Sequence, residues 1–220
     1  MYSSCPERVF LQRAESRLLE IPTASGENTI QRSSLLSAHL KGIHKMYTRG
    51  RSPLSVNSLK FISIIQNVDN LNELAGAPRV FHLHGDFQTS LCRKCKKTFP
   101  RVGFYEREQV CPVCEATNFA MRPNVVLFGE VPYGMDWIPS YLKKACVFIS
   151  VGTSGTVYPA ANFVRETKAS IRINLDLDPL IHPYSKFNHR IYGKCTETLP
   201  PLLEELKKEL TSRLKEKATE

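Results

Sequence analysis

Four cysteines constrain this chain more than anything else in it. Cys92-Arg-Lys-Cys95 and Cys111-Pro-Val-Cys114 are two Cys-x-x-Cys pairs with fifteen residues between them, a spacing that reads as a zinc site. Each pair turns back on itself and aims two sulfurs at one point. Two such turns supply four thiolates for a tetrahedral Zn²⁺ and leave no open position, so the metal is structural rather than catalytic. Arg93, Lys94, Lys96, Lys97 and Arg101 crowd the pairs and offset the negative charge of a tetrathiolate. The alternatives are two disulfides or a redox Cys-x-x-Cys. The chain has seven cysteines, an odd number, and Met1 is followed by polar residues and Cys5-Pro6 instead of an apolar export core. Both features favour a reducing compartment. Cys146 lies in an apolar run and reads as a core residue; Cys5 has no partner pattern.

Composition sets the outer bounds. The 220 residues fit one domain, or one domain with a small insert, and are enough to bury a core without disulfides. An apolar content of 42% argues against wholesale disorder. No apolar run approaches the ~18 residues needed to span a bilayer, so no membrane span is expected. The 30 Lys+Arg against 21 Asp+Glu leave a net charge of +9, which invites a nucleic-acid reading. No interleaved aromatic–basic motif supports one, and direct nucleic-acid binding is not expected. The expected location is cytoplasmic, with a mitochondrial one as the alternative.

From about Phe61 the chain alternates strand and helix signals. Phe61–Ile65, Val80–His84, Val125–Phe128, Cys146–Val151 and Ile171–Leu175 are short apolar runs of strand length. Asp136–Lys144 and Pro159–Lys168 suit helices. Apolar strands separated by helices predict an α/β fold with a doubly wound, parallel, Rossmann-like sheet. The cysteine segment, 86–122, is a small module inserted between sheet-forming stretches at 61–85 and 123–215. At the end, Leu199, Leu202, Leu203, Leu206, Leu210 and Leu214 recur at three and four residues, an amphipathic helix started by Pro200 and Pro201 and packed on the sheet. Residues 1–60 differ: nine Lys+Arg, four Asp+Glu and many Ser, Thr and Asn. Arg8 to Leu19 reads as a helix there, and no strand–glycine turn–helix unit is evident. This N-terminal segment makes the sheet incomplete or divergent at one point.

A doubly wound sheet binds ligands beyond the carboxyl ends of its strands. The residues in those places are Gln66-Asn-Val-Asp69, His84-Gly85, Gly129-Glu130, Gly152-Thr-Ser154 and Asn174-Leu-Asp176. Each is weak alone, because loops are polar anyway. Five polar strand ends around one crevice are harder to dismiss.

These segments, with Leu83-His-Gly85, the two cysteine pairs and Val125-Val-Leu-Phe-Gly-Glu130, follow the order and spacing of sirtuins. The resemblance runs from about Ile65 to about Leu203, and Gly152-Thr-Ser-Gly-Thr-Val-Tyr-Pro-Ala-Ala161 is similar to the bacterial and mitochondrial deacylase branch. It implies an NAD-dependent protein lysine deacylase, of deacetylase or desuccinylase type, that moves the acyl group to ADP-ribose and releases nicotinamide. His84 matches the general base acting on a ribose hydroxyl, a task suited to an imidazole whose pKa lies near working pH. His82 reads as a core or surface histidine, or as support for His84. By the same resemblance Gln66, Asn67, Val68 and Asp69 form the ribose and nicotinamide pocket. Gly152, Thr153 and Ser154 touch ribose and phosphates, and Asn174, Leu175 and Asp176 face the adenosine ribose. Cys195 meets adenine through its backbone. Val126, Phe128, Gly129 and Glu130 match the edge on which an acylated lysine peptide lies as an added strand, with one structural zinc holding a wall of that cleft.

Two departures stand beside the resemblance. Sirtuins place a Gly-Ala-Gly-x-Ser turn and a Gly-Ile-Pro-Asp-Phe-Arg-like loop after their first strand; this chain contains no Gly-x-Gly at all. The Tyr-x-x-Arg pair that selects dicarboxylic acyl groups is also unmatched, since Tyr47 is followed by Arg49 and Arg51.

Overall fold

The computed structural model describes residues 8–13, 60–74, 76–77, 79–101, 103–153, 159–177 and 186–218. Among the described residues, nine strands form two sheets. Six are parallel: β1 (Arg8–Arg13), β2 (Lys60–Ile65), β3 (Val80–His82), β7 (Val147–Val151), β8 (Ile171–Asp176) and β9 (His189–Tyr192). Their order, β3-β2-β1-β7-β8-β9, is that of a Rossmann sheet with its crossover between β1 and β7. The other three, β4 (Gly85–Cys92), β5 (Thr98–Pro100) and β6 (Met121–Val125), make an antiparallel sheet that carries the cysteines.

The parallel sheet is held by apolar cover on both faces. All five residues of β7, Val-Phe-Ile-Ser-Val, are buried, as a central parallel strand requires. On one face Val147, Ile149, Val151, Ile173 and Leu175 pack with Leu199 and Leu203 of the long C-terminal helix. On the other, Ile64, Leu83 and Phe148 pack with Ile138 and Leu142 of one helix and Phe163 and Val164 of another. In chain order the helices are α1 (Leu71–Leu74), α2 (Ile138–Leu142), α3 (Phe163–Glu166, preceded by a 3-10 turn at Ala160–Asn162) and α4 (Cys195–Ala218). Phe148, Phe163, Ile64 and Leu142 have no more than 2% of their surface exposed, and each contributes roughly 1.5–3 kcal/mol of hydrophobic stabilisation.

Several expectations are corrected. Arg8–Arg13 is not helical: it is the central strand β1, paired in parallel with both β2 and β7. Extended backbone there completes two hydrogen-bonded ladders, a tertiary demand that overrides local helix propensity. Val125–Phe128 is not a further parallel strand. β6 ends at Val125 and pairs antiparallel with β4. The helix α4 begins at Cys195, not at Pro200. The backbone N–H groups of Glu197 and Thr198 both donate to the Lys194 carbonyl, and Pro200 and Pro201 lie within the helix. Each proline removes one early intrahelical hydrogen bond. Leu199 and Leu203 are buried against the sheet as the leucine spacing predicts. No helix among the described residues is long and apolar enough to cross a membrane.

Candidate functional site

The cysteine module is built from two turns of the same shape. After Cys95, Lys96 has φ +61°; after Cys114, Glu115 has φ +55°. In each turn that residue donates its N–H to the first cysteine's carbonyl, Lys96 to Cys92 and Glu115 to Cys111, both at 2.9 Å. The first cysteine's N–H returns to the second residue beyond the pair, at Lys97 and Ala116. The four Sγ atoms lie within 4.8 Å of one another. Cys92–Cys114 and Cys95–Cys111 are 3.7 Å apart, and a tetrahedron with Zn–S of about 2.3 Å has edges of about 3.8 Å. The donor set therefore fits one zinc ion. The backbone N–H groups of Cys95 and Lys94 favour the Cys92 thiolate, whose pKa is pulled down to about 6.

β4 carries the module straight into the parallel sheet. It starts at Gly85, one residue after His84. Gly85 has φ +79°, and a Cβ there would lie 2.0 Å from the Asn124 carbonyl oxygen, so only glycine lets β4 and β6 close at this point. Leu83 and His84 form the turn between β3 and β4. The Leu83 side chain is fully buried in the core, and its neighbour projects toward the loop after β2. The Nδ1–H of His84 donates to the Gln66 carbonyl at 3.1 Å. That bond selects the tautomer and leaves the Nε2 lone pair to accept a proton. Burial lowers the His84 pKa, opposed by the Gln66 carbonyl, so the ring is neutral and basic at physiological pH.

His82 is the counterpart. Its Nδ1–H donates to the Asn67 carbonyl at 3.2 Å, and its Nε2–H to Glu73 at 2.7 Å. Burial disfavours charge on this ring too, but the Glu73 carboxylate outweighs it and the pKa is raised. The two histidines thus hold consecutive carbonyls of one loop, with pKa values displaced in opposite directions.

The strand ends converge across the crossover. The Gln66 amide, after β2, donates to the Thr153 hydroxyl, after β7, at 3.3 Å. These strands flank β1 on opposite sides, so the contact spans its carboxyl end. Gly152, at φ +58°, donates to the Leu175 carbonyl of β8. Asn174 is 2% exposed and its buried Oδ1 accepts no hydrogen bond among the described residues. An orphaned buried carbonyl is costly, and a donor from a bound polar molecule would satisfy it. Asp176 receives the Leu177 N–H, and its carbonyl receives the N–H of Gly193, two residues before Cys195. This row of amide, hydroxyl and carboxylate groups fits a dinucleotide laid across the crossover.

Other expected positions serve the frame. Asp69 accepts the Leu71 N–H at 3.0 Å and so caps the helical turn α1, which leaves one carboxylate oxygen for a ligand. Val68 gives its carbonyl to the Phe87 N–H. Leu175 is buried with its side chain in the core; its carbonyl is used by Gly152. Ser154, and Tyr47 with Arg49 and Arg51, lie outside the described residues.

The segment after β6 is tied to the histidine turn at both ends. The Val126 N–H donates to the His84 carbonyl and the Tyr133 N–H to the Leu83 carbonyl. Between them Phe128 is fully exposed, as are most of Leu127 and Val131. Phe128 therefore stands on a loop tip and is no part of the core. Gly129 turns at φ +88°. Glu130 closes the loop internally, accepting from both the Arg122 guanidinium and the Leu127 N–H.

The linear motifs missed a polar chain that links this loop to the module. The Tyr133 hydroxyl donates to Asn124, whose amide donates to Thr89, which donates to Asp86. They also missed the Glu73–His82 pair, because nine residues separate partners that meet only when β3 lies beside β2.

The family model of the Sir2 family matches residues 31–159, beginning about 34 residues before the resemblance that starts near Ile65. An NAD-dependent protein deacylase of Caulobacter vibrioides is 37% identical over 178 residues, 80% of this chain and 74% of that protein. One from Escherichia coli K12 is 38% identical over 153 residues, 69% of this chain and 54% of that protein. Among solved structures, Sir2Af2 bound to a myristoylated histone peptide is 26% identical with a TM-score of 0.61 and covers 94% of this chain and 92% of its own. A Sir2 homologue solved as its NAD complex has a TM-score of 0.64 at 23% identity, over 93% and 90% of the two chains.

Proposed function

The chain belongs to the Sir2 family, and from that premise we propose that it is an NAD-dependent protein lysine deacylase of deacetylase or desuccinylase type. The observation that carries this reading is the junction at His84. A neutral imidazole with a free Nε2 sits one residue from the cysteine module and one loop from the crossover crevice. NAD would supply, when bound, the ribose that takes the acyl group on a hydroxyl oxygen as nicotinamide departs from the anomeric carbon, with water consumed in freeing the lysine amine.

The protein's own residues divide the remaining work. His84 Nε2 takes a proton from a ribose hydroxyl, and the Gln66 carbonyl keeps the ring oriented while its charge develops. Gln66 and Thr153, bonded to each other, present a rigid edge to the ribose. The second oxygen of Asp69 receives the carboxamide of nicotinamide. The Asn174 oxygen accepts from the adenosine ribose. Acylated lysine peptides lie along Val126–Gly129, where the exposed Phe128 supplies an apolar wall for the acyl-lysine stem. The zinc ion acts through geometry alone, fixing β4 and β6 and so the turn that holds His84.

The test is incubation with an acylated lysine peptide and NAD, followed by mass spectrometry. The expected products are deacylated peptide and O-acyl-ADP-ribose, and His84→Ala should reduce their formation by about 10²–10⁴-fold with unchanged zinc content. A second reading, a binding module without turnover, is favoured by the absence of any Gly-x-Gly turn for the phosphates. Saturable NAD binding with no product would establish that reading instead.

A further inference from the structure

The loop that carries Gln66, Asn67 and Asp69 is held at several points, among them the Val68 carbonyl by the Phe87 N–H and the Gln66 amide on Thr153. It leaves β2 at Ile65 and ends in the single helical turn α1. Two histidines reach it from the next strand and turn, and only one of them is engaged at both nitrogens. His82 bonds the loop's start through the Asn67 carbonyl and its end through Glu73, at 3.2 and 2.7 Å. A ring that donates from both nitrogens is an imidazolium. We propose that His82 is a positioning residue: as a cation it clamps the 67–73 loop from both ends and so presets the pocket that receives NAD. What the loop binds rests on the deacylase reading; the clamp itself does not.

The charges facing His82 are Glu73, from α1, and Asp86, from β4. Asp86 is engaged by the Gln88 N–H and the Thr89 hydroxyl, so Glu73 is the direct partner. The signs of the two histidine shifts then bound a working window. His82 is raised, so its clamp is complete below the ordinary histidine value of 6.5 and is lost as pH rises through the raised value. Glu73 is lowered, so its half of the pair persists until pH falls through that lowered value. His84 is lowered, so its base form is lost only as pH falls through its own value. Between the lowered value of His84 and the raised value of His82, the first ring is neutral while the second is charged.

The experiment compares wild type with His82→Leu, His82→Gln and Glu73→Gln by amide hydrogen exchange without ligand and by steady-state kinetics across pH. Glu73 is exposed, so Glu73→Gln removes the charge with no change to the core. His82→Leu and Glu73→Gln should each speed exchange of residues 67–74 by about tenfold, the effect of losing one charge-assisted hydrogen bond in a partly solvated site. They should raise the KM for NAD by about tenfold with kcat changed less than about threefold. His82→Gln, which keeps one donor, should recover part of both effects. In wild type the KM should climb on the alkaline side, a rise absent from Glu73→Gln. Unchanged exchange at 67–74, or a fall in kcat with KM unaltered, would overturn the proposal. If wild type shows no turnover, the deacylase reading fails separately and exchange alone decides the clamp: about tenfold supports it, no change refutes it.

Discussion

The parallel sheet and the cysteine module solve the problem of staying folded in different ways. The sheet buries ten apolar residues on one face alone, six of them with no exposed surface at all. The module's own cluster holds four: Cys92, Cys111, Ala120 and Met121. It leaves Phe104, Val110, Val113 and Phe119 about half exposed or more. It also spends non-glycine residues at four positive-φ positions, Lys96, Glu115, Asn118 and Phe119, where no such residue occurs among the described residues of the parallel sheet. A core of four small or medium side chains cannot offset the ordering of some forty residues. The difference teaches that the module depends on its metal and the sheet does not. His84 sits where the two meet, with the core residue Leu83 before it and the module's first residue after it.

The strongest way to break this contrast is to remove the metal. Chelation, or Cys111→Ser, should take from the module on the order of 10 kcal/mol of metal-linked folding free energy. Hydrogen exchange should then show β4, β5 and β6 opening while β7 and β8 stay protected. Uniform opening of both sheets would deny that they are separately supported. The mirror experiment is Leu142→Ala, at a side chain with no exposed surface. It should cost about 2–5 kcal/mol in denaturant unfolding and leave one zinc per chain by metal analysis. The smallest effect sharpens the picture of the turns. Lys96→Gly relieves a left-handed backbone at φ +61° and should stabilise the zinc-loaded module by up to about 1 kcal/mol, read as tighter zinc retention against a competing chelator.

What the sequence disclosed divides along the same line. The cysteine pairs were legible because metal ligation needs fixed residue types at fixed spacing. The buried strand at Val147–Val151 was legible because burial on both faces forces a nearly continuous apolar run, and the one at Ile171–Asp176 because Ile171, Ile173 and Leu175 alternate with polar residues. β1 was not, since Arg8-Val-Phe-Leu-Gln-Arg13 mixes apolar and charged residues and becomes a strand only by pairing with β2 and β7. β9, His-Arg-Ile-Tyr at the sheet edge, is mostly exposed and carries no apolar run to read. Within the site, His84, Gln66, Thr153 and Asn174 came from motif order. The partners that tune them did not. The Gln66 carbonyl on His84 and the Glu73 carboxylate on His82 arise from the register of β3 beside β2, which no local pattern encodes.

Calorimetric titration of NAD into the zinc-loaded protein tests most directly whether strand ends on both sides of β1 form one dinucleotide crevice. Gln66→Leu, from beyond β2, and Asn174→Leu, from β8, change residues separated by two intervening strands. Each should weaken a saturable, one-to-one NAD affinity by about tenfold, the loss of one buried hydrogen bond to ligand. Binding indifferent to both substitutions, or no saturation by wild type at millimolar NAD, would contradict it.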